Sequence, residues 1–189
     1  EDGGRYCCIG DNRRTAVCGK VKDDDQTKQA FTNVVRAMVG RYKDRVEYWG
    51  FGIEPNCRGE SPATYTMWLR LFADAVRSVK PNAVIIGAHL SGADDAYLSG
   101  MYDNNAKDYF NVIALDPYGL PLDYDGIKRI RELMDRKGDS NKKMWVTEWG
   151  VSSGTVGEER QAQLIREGLN YLSRSQRIGA AYYHNFECE

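Results

Sequence analysis

Residues 49–56 read WGFGIEPN, an apolar, strand-like run that stops at Glu54 and Pro55. Proline has no backbone N–H and cannot donate to the hydrogen bonds of a sheet, so the strand must end here and leave Glu54 at its carboxyl end. Residues 144–150 read MWVTEWG and place Glu148 where a second apolar run gives way to a turn. The two segments therefore predict two strands that each present one glutamate.

Strands and helices alternate along the rest of the chain. Strands are predicted at 46–53, 83–87, 110–115, 144–147 and 178–183, and helices at 26–42, 62–80, 93–101, 125–137 and 158–173. In the helices apolar residues recur at spacings of three and four, whereas the strands are short apolar runs of the kind found in parallel sheets. Such alternation is typical of parallel strands joined by right-handed crossovers. Tyr6–Ile9 is a candidate for a sixth strand.

Two α/β architectures fit this alternation, a (β/α)8 TIM barrel and a doubly wound open sheet. Polar residues follow the ends of successive strands, and a barrel would gather them around one mouth. They are Glu54, His89, Asp116 with Tyr118, Glu148, and His184. The sequence lacks the Gly-rich phosphate loop expected after the first strand of an open sheet. We therefore predict a TIM barrel; because a complete one takes about 250 residues, this chain of 189 is expected to lack the first two strand–helix units.

Composition and charge favour one folded domain over residues 1–189. The chain is 42 % apolar and 28 % charged, and 26 basic residues nearly balance 27 acidic ones, for a net charge of -1. Such a balance predicts no field that would gather nucleic acid or a membrane surface, so we expect an uncharged partner. No segment approaches the roughly 20 apolar residues of a membrane span. Residues 1–25 read as a poorly placed loop or as part of a further strand.

Five cysteines give an odd count, and their spacing is not that of a zinc site. Cys7, Cys8 and Cys18 cluster near the start, so a disulfide within this region fits an exported protein. Reduced cysteines that act as small core residues fit a reducing compartment equally well. We expect an extracellular or periplasmic location, with the cytoplasm as the alternative.

Paired glutamates at strand ends are the arrangement that a retaining glycosidase needs. Two carboxyl groups about 5 Å apart can face each other across a sugar, where one attacks the anomeric carbon and the other handles the proton of the leaving group. Such chemistry requires no cofactor. His89 and His184 have no cysteine or acidic partner at ligand spacing, so we predict that they line a pocket and bind no metal.

The two glutamate segments resemble those of glycoside hydrolase clan A, a group of retaining glycosidases. Residues 46–56 are similar to its fourth-strand signature, in which Pro-Asn or a similar turn follows the acid/base glutamate. The YWGFG run is closest to the α-L-arabinofuranosidases, and EPN is closer to the β-xylosidases and cellulases. Residues 145–150 are similar to the seventh-strand motif, and 116–118 lie where the sixth strand often has His-Pro-Tyr. The resemblance covers residues 26–186 and makes the predicted strands the fourth to the eighth.

The resemblance implies a partial glycosidase barrel that cleaves O-glycosidic bonds of plant-type or microbial oligo- and polysaccharides. It assigns Glu54 as general acid/base and Glu148 as nucleophile in a double displacement. Side chains expected to contact the sugar are Tyr118, Asp116, Trp149, Asn56, His89 and His184.

Two positions depart from the family pattern. Ile53 stands where these enzymes have an asparagine that binds the sugar 2-hydroxyl, a contact worth several kcal/mol in the transition state, and Asp116 replaces a histidine. Together with the missing strands, these departures leave two alternatives open. One is a weak or inactive carbohydrate-binding barrel; the other is a half-barrel completed by another chain or a second copy.

Overall fold

The computed structural model describes residues 23–184. Within that range the strands are β1 (Tyr48–Gly50), β2 (Val84–Ser91), β3 (Val112–Asp116), β4 (Lys143–Trp149) and β5 (Ile178–Tyr183). The α-helices are α1 (Asp25–Tyr42), α2 (Pro62–Val79), α3 (Asp95–Asp103), α4 (Tyr124–Arg136), α5 (Ser153–Val156) and α6 (Glu158–Arg174), with a 3-10 turn at Ala106–Tyr109. The candidate strand Tyr6–Ile9 and nearly all of the region 1–25 lie outside the described residues.

All five strands are parallel and lie side by side in chain order, β1 to β5. Helices connect each strand to the next, as the alternating pattern predicts. The predicted α/β class and the parallel sheet are confirmed. The described strands form a curled half-barrel, and a closed eight-stranded barrel is not seen within residues 23–184.

Helix boundaries follow the local sequence signals. The side chain of Ser61 accepts a hydrogen bond from the Thr64 N–H at 3.1 Å and caps α2, and Pro62 lies in the first turn, where its missing N–H costs nothing. Gly138 follows α4 with a φ of +78°, the left-handed conformation that commonly ends a helix. Between β4 and α6, the side chain of Ser152 caps the short helix α5.

The main core lies between the sheet and its helices. Fully buried side chains from both layers, such as Val39, Leu69, Ile113 and Met134, meet there. The concave face of the sheet carries a smaller apolar cluster of Ile86, Val112 and Ala114, packed against Trp145. The Trp145 ring lies 4.9 Å from Tyr48 and 6.2 Å from Tyr182 between ring centroids. The face of the sheet that packs against the helices is therefore more deeply buried than the concave face.

A polar network lies at the amino ends of the strands, centred on Asp139, which is 2 % exposed. Its carboxylate accepts a hydrogen bond from the Tyr102 hydroxyl at 2.8 Å and pairs with Lys142 at 2.9 Å. Arg177 donates to the Asp139 carbonyl at 3.1 Å and pairs with Asp135. These contacts tie α3, α4, β4 and β5 together far from the strand ends that carry the glutamates.

Candidate active site

Five strand ends bring the predicted polar residues to one edge of the sheet. Asp116 is the last residue of β3, Glu148 is the penultimate residue of β4, and His184 directly follows β5. His89 lies in β2, and Glu54 follows β1 by four residues. Parallel strands present their carboxyl ends on the same side of a sheet. These side chains therefore lie together at the carboxyl-terminal edge of the half-barrel, which we call its mouth.

The Tyr118 hydroxyl connects two of these side chains. It donates a hydrogen bond to Glu148 Oε2 at 2.9 Å and lies 3.1 Å from Nδ1 of His184. Because its proton is directed at Glu148, the hydroxyl can accept a hydrogen bond from His184 if Nδ1 is protonated. Burial raises the pKa of Tyr118, and the bond to Glu148 and the charge of Glu54 add to the effect. The phenol therefore remains a neutral donor to Glu148.

An irregularity in β4 places Glu148 at the mouth. Val146 pairs with Ala181 of β5, but the next pairing is Trp149 with Tyr183, so β4 carries one extra residue there. Trp149 consequently returns to the helix side, where it is 4 % exposed and its ring packs on Tyr183. Glu148 remains half-buried beside the mouth.

Glu54 lies in a turn that begins before the predicted end of the first strand. The predicted strand 46–53 ends at Gly50, and Gly52 and Glu54 have positive φ values of 71° and 47°. The Glu54 N–H donates to the His89 carbonyl at 2.8 Å, and its carbonyl accepts from the N–H of Cys57 at 3.1 Å. A left-handed glutamate is a strained conformation of the kind that clusters at functional sites.

A bulge in β2 orients His89. The pairing with β3 shifts between Gly87 and Leu90, and both Ala88 and His89 have positive φ. The imidazole lies against Gly50, where an added Cβ would stand 2.9 Å from Nε2. Burial lowers the pKa of His89, opposed by the charge of Glu148, so the neutral imidazole is favoured.

Tyr65, which the sequence indicates only as part of the apolar stripe of α2, forms hydrogen bonds with both the turn after β1 and the bulge in β2. Its fully buried hydroxyl donates to the Phe51 carbonyl and accepts from the Ala88 N–H, each at 2.8 Å. The only sequence signal for this role is a tyrosine in a buried helical stripe, since a buried hydroxyl requires hydrogen-bond partners.

We expect Tyr65→Phe to lower the free energy of unfolding by about 2 to 4 kcal/mol, because two buried backbone groups lose their partner at roughly 1–3 kcal/mol each. Urea denaturation measures the change. Tyr42→Phe is the matched control, since Tyr42 is 43 % exposed. Equal unfolding midpoints for the two variants would show that the two hydrogen bonds of the Tyr65 hydroxyl contribute nothing to stability.

Asp116 is nearly inaccessible, at 1 % exposure. Its Oδ1 accepts a hydrogen bond from the Thr147 hydroxyl at 2.7 Å, and the backbone N–H of Glu148 also bonds the carboxyl group. Burial raises the pKa of Asp116 to about 6; the charges of Glu148 and Glu54 add to this, and the bonds from Thr147 and Glu148 oppose it. Asp116 is therefore a third carboxyl group within electrostatic reach of both glutamates.

Stability should depend on the ionisation of Asp116. Its folded pKa of about 6 lies above the unfolded value of about 3.9, so the unfavourable contribution is absent below about pH 4 and complete above about pH 6 to 7. Because one pKa unit corresponds to about 1.4 kcal/mol, we expect Asp116→Asn to stabilise the fold by up to roughly 3 kcal/mol at pH 8 and by little at pH 4. Denaturation at both pH values measures this difference, and an equal effect at both would contradict it.

Asn56 forms hydrogen bonds that join the turn after β1 to the end of β2 and to the segment that follows it. Its amide donates to the Ser91 carbonyl at 2.9 Å and to Asp94 at 3.1 Å, and it accepts from the Ser91 N–H at 3.0 Å. Both amide hydrogens are thus engaged within the fold, and Trp149 lies in the core. Of the eight predicted site residues, the structure brings six together at the mouth: Glu54, His89, Asp116, Tyr118, Glu148 and His184.

The structure also bears on metal binding, on membrane-spanning helices and on a surface cavity. Among residues 23–184, no group of three or more His, Cys, Asp or Glu side chains is arranged to hold a metal ion. The helices of the same range include none that is long and apolar enough to span a membrane. A surface cavity of about 430 Å³ is lined by Tyr118, Gly119 and residues 121–125.

Comparison with solved structures identifies glycoside hydrolases. A family 39 glycoside hydrolase from Bacteroides cellulosilyticus matches with a TM-score of 0.70 and 20 % identity, over 85 % of this chain and 38 % of its own. A family 39 β-xylosidase from Caulobacter crescentus matches with a TM-score of 0.68 and 18 % identity, over the same shares. A family 44 xyloglucanase from Paenibacillus polymyxa matches with a TM-score of 0.64 and 12 % identity, over 84 % and 46 %.

No protein-family model matches the sequence, and the comparison with curated proteins gives no match. The chain spans less than half the length of each of these three enzymes. At such identities the likeness concerns the fold. The described strands therefore have the parallel β/α arrangement of part of the glycoside hydrolase barrel, as found in family 39.

Proposed function

We propose that the protein is a retaining glycoside hydrolase that uses Glu148 as nucleophile and Glu54 as general acid/base. The observation that carries this proposal is the hydrogen bond from the Tyr118 hydroxyl to Glu148 Oε2 at 2.9 Å. A neutral donor fixes the position of one oxygen of the carboxylate, and a nucleophile must be held in a fixed orientation toward the anomeric carbon. The partial glycosidase fold supports the same conclusion.

The reaction proceeds in two displacements. The Glu148 carboxylate attacks the anomeric carbon, the bond from that carbon to the leaving oxygen breaks, and Glu54 gives its proton to the departing oxygen. Glu54 then takes a proton from water, whose oxygen displaces Glu148 from the anomeric carbon. Two inversions release the sugar with its original anomeric configuration, and no cofactor takes part.

The substrate is proposed to be an oligo- or polysaccharide. The cavity beside Tyr118 is lined by residues that include Pro121, Asp123 and Asp125. A concave site with apolar and polar residues side by side suits a sugar ring, so this cavity is assigned to the part of the substrate beyond the cleaved bond. An extracellular or periplasmic location is proposed as well; the disulfide at Cys57 supports it, since disulfides persist in oxidising compartments.

The test is hydrolysis of aryl arabinofuranosides, xylosides and glucosides, with the anomeric configuration of the first product followed by NMR. We expect release of the aryl group from at least one substrate with retention of configuration. Inversion would contradict the double displacement, and failure on the whole panel would contradict the catalytic assignment.

Carbohydrate binding without turnover is the second candidate, and Ile53 favours it. This side chain is 44 % exposed next to Glu54 and offers no hydrogen bond to a sugar hydroxyl. Sugar binding in calorimetry, without any release of the aryl group, would favour this candidate over the enzyme.

Completion of the half-barrel by a second copy or another chain is a third candidate. It is motivated by Tyr48 and Tyr182, which are 46 % and 53 % exposed at the outer strands β1 and β5. A monomer in light scattering would count against completion by a second copy.

A further inference from the structure

We propose that Tyr65 and Asn56 are positioning residues, which fix the turn that carries Glu54 against the end of β2. The inference rests on the proposed function and gives a part in the reaction to two side chains whose polar groups bond the protein itself. The sequence indicates Tyr65 only as a core residue and Asn56 only as a sugar contact.

The Glu54 turn needs an anchor because the sheet does not provide one. The pairing of β1 with β2 ends where Gly50 lies opposite Ile86, four residues before Glu54. Glu54 itself has a φ of 47°, a strained conformation that persists only where surrounding contacts impose it. The position of its carboxyl group therefore depends on contacts beyond the sheet hydrogen bonds.

The Tyr65 hydroxyl joins the turn to β2 at the end nearer the sheet. It donates to the Phe51 carbonyl and accepts from the Ala88 N–H, each at 2.8 Å. Phe51 precedes Glu54 by three residues, and Ala88 directly precedes His89. The Phe51 ring stacks on the Tyr65 ring at 5.5 Å between centroids. The hydroxyl is held firmly, because any movement would leave two buried backbone groups without a partner.

The backbone and Asn56 join the same two segments farther along. The Glu54 N–H donates to the His89 carbonyl at 2.8 Å. Two residues later, the Asn56 amide donates to the Ser91 carbonyl at 2.9 Å and accepts from the Ser91 N–H at 3.0 Å. Glu54 thus lies between a link from Tyr65 and a link from Asn56. Loss of either link frees one end of the turn to shift, and the carboxyl group shifts with it.

The position of Glu54 matters for one part of the reaction, the transfer of a proton to the leaving group. A misplacement of about 1 Å can cost roughly 10²-fold in rate. The loss is large for a leaving group that must receive the proton and small for one that departs readily as an anion. Aryl glycosides that differ only in the leaving group therefore distinguish a misplaced acid from a general loss of folded enzyme.

The experiment compares kcat/KM on the phenyl and the 2,4-dinitrophenyl glycoside of one sugar that the wild type hydrolyses, in the wild type, Tyr65→Phe and Asn56→Ala. We expect both variants to lose roughly 10- to 100-fold on the phenyl glycoside and about threefold or less on the dinitrophenyl glycoside. Rates are taken per folded molecule and without reductant, so that the disulfide at Cys57 stays formed. Equal losses on the two substrates, as a sugar contact or a purely structural role would give, would overturn the inference.

Tyr97→Phe is the matched control. Tyr97 is 7 % exposed and its ring lies 6.3 Å from that of Tyr65 between centroids, yet its hydroxyl makes no hydrogen bond to any residue between 23 and 184. Removal of this buried hydroxyl is expected to leave the ratio of the two rates unchanged. A ratio that changes as much in Tyr97→Phe as in Tyr65→Phe would contradict a role for the two hydrogen bonds.

Amide hydrogen exchange followed by NMR provides a readout without turnover. It compares the Glu54 amide with the Met144 amide, which donates to the Arg177 carbonyl at 2.8 Å near the opposite end of the sheet. In both variants we expect the Glu54 amide to exchange roughly tenfold faster relative to Met144, because the turn opens locally. An unchanged ratio in both would overturn the inference. A raised ratio in a protein that hydrolyses no glycoside would uphold the anchoring of the turn and refute only the proposed function.

Discussion

Glu148→Ala is expected to lower kcat on an aryl glycoside by roughly 10⁴-fold or more, an effect of the size seen when an enzyme loses its nucleophile. The reason is that the first displacement requires an oxygen to form the bond to the anomeric carbon, and alanine has none. Steady-state kinetics measures the loss. Glu47→Ala is the matched control, because Glu47 is exposed before β1 and far from the mouth.

Azide adds a chemical check to this prediction. The shorter side chain leaves room for a small anion, which can attack the anomeric carbon while the aryl leaving group departs and so form a glycosyl azide of inverted configuration. Partial recovery of aryl release with azide is expected in Glu148→Ala. Unchanged activity in the variant without azide would refute the nucleophile assignment.

Asp139→Ala is expected to lower the free energy of unfolding by about 3 to 5 kcal/mol. Asp139 is 2 % exposed, and its removal leaves the Tyr102 hydroxyl without its acceptor and the partly buried ammonium group of Lys142 without its carboxylate partner. Urea denaturation measures the change. Activity per folded molecule should be preserved, because the network lies at the end of the sheet opposite the glutamates.

Asp103→Ala is the control for that variant. Asp103 pairs with Lys137 at 2.7 Å, but its side chain is 63 % exposed. An exposed ion pair contributes about 1 kcal/mol or less. Equal losses in the two variants would contradict the claim that burial makes the Asp139 network important.

The order of the elements could be predicted because it depends on local patterns. Apolar periodicity located the five described strands and the long helices, but β1 ends at Gly50, four residues before the Glu54 that Pro55 was expected to leave at the carboxyl end of the strand. Since parallel strands align their carboxyl ends, the predicted side chains at those ends lie together without further information. Ser61 and Gly138 served as helix boundaries for local reasons as well.

The details of the site depend on tertiary contacts that no local pattern carries. The β2 bulge puts Ala88 and His89 at positive φ, a conformation that the sequence does not favour and that the hydroxyl of Tyr65 stabilises from a helix. The extra residue in β4 changes which side chain faces the core, so strict alternation from Val146 misplaces Trp149. The sequence suggests Asn56 as a sugar ligand, whereas in the structure its amide is hydrogen-bonded to the backbone of Ser91, a contact that no local pattern predicts.

The most direct test of the central claim, that Glu148 is the nucleophile of a retaining reaction, is covalent trapping with an activated 2-deoxy-2-fluoro aryl glycoside. The fluorine slows both displacements, and the reactive leaving group allows the first to occur, so the glycosyl-enzyme accumulates. Mass spectrometry of the intact protein and of its peptides is expected to show one added sugar, on Glu148, and none in Glu148→Gln. A sugar attached to another residue, or a wild type that turns over natural glycosides without ever forming the adduct, would contradict the account.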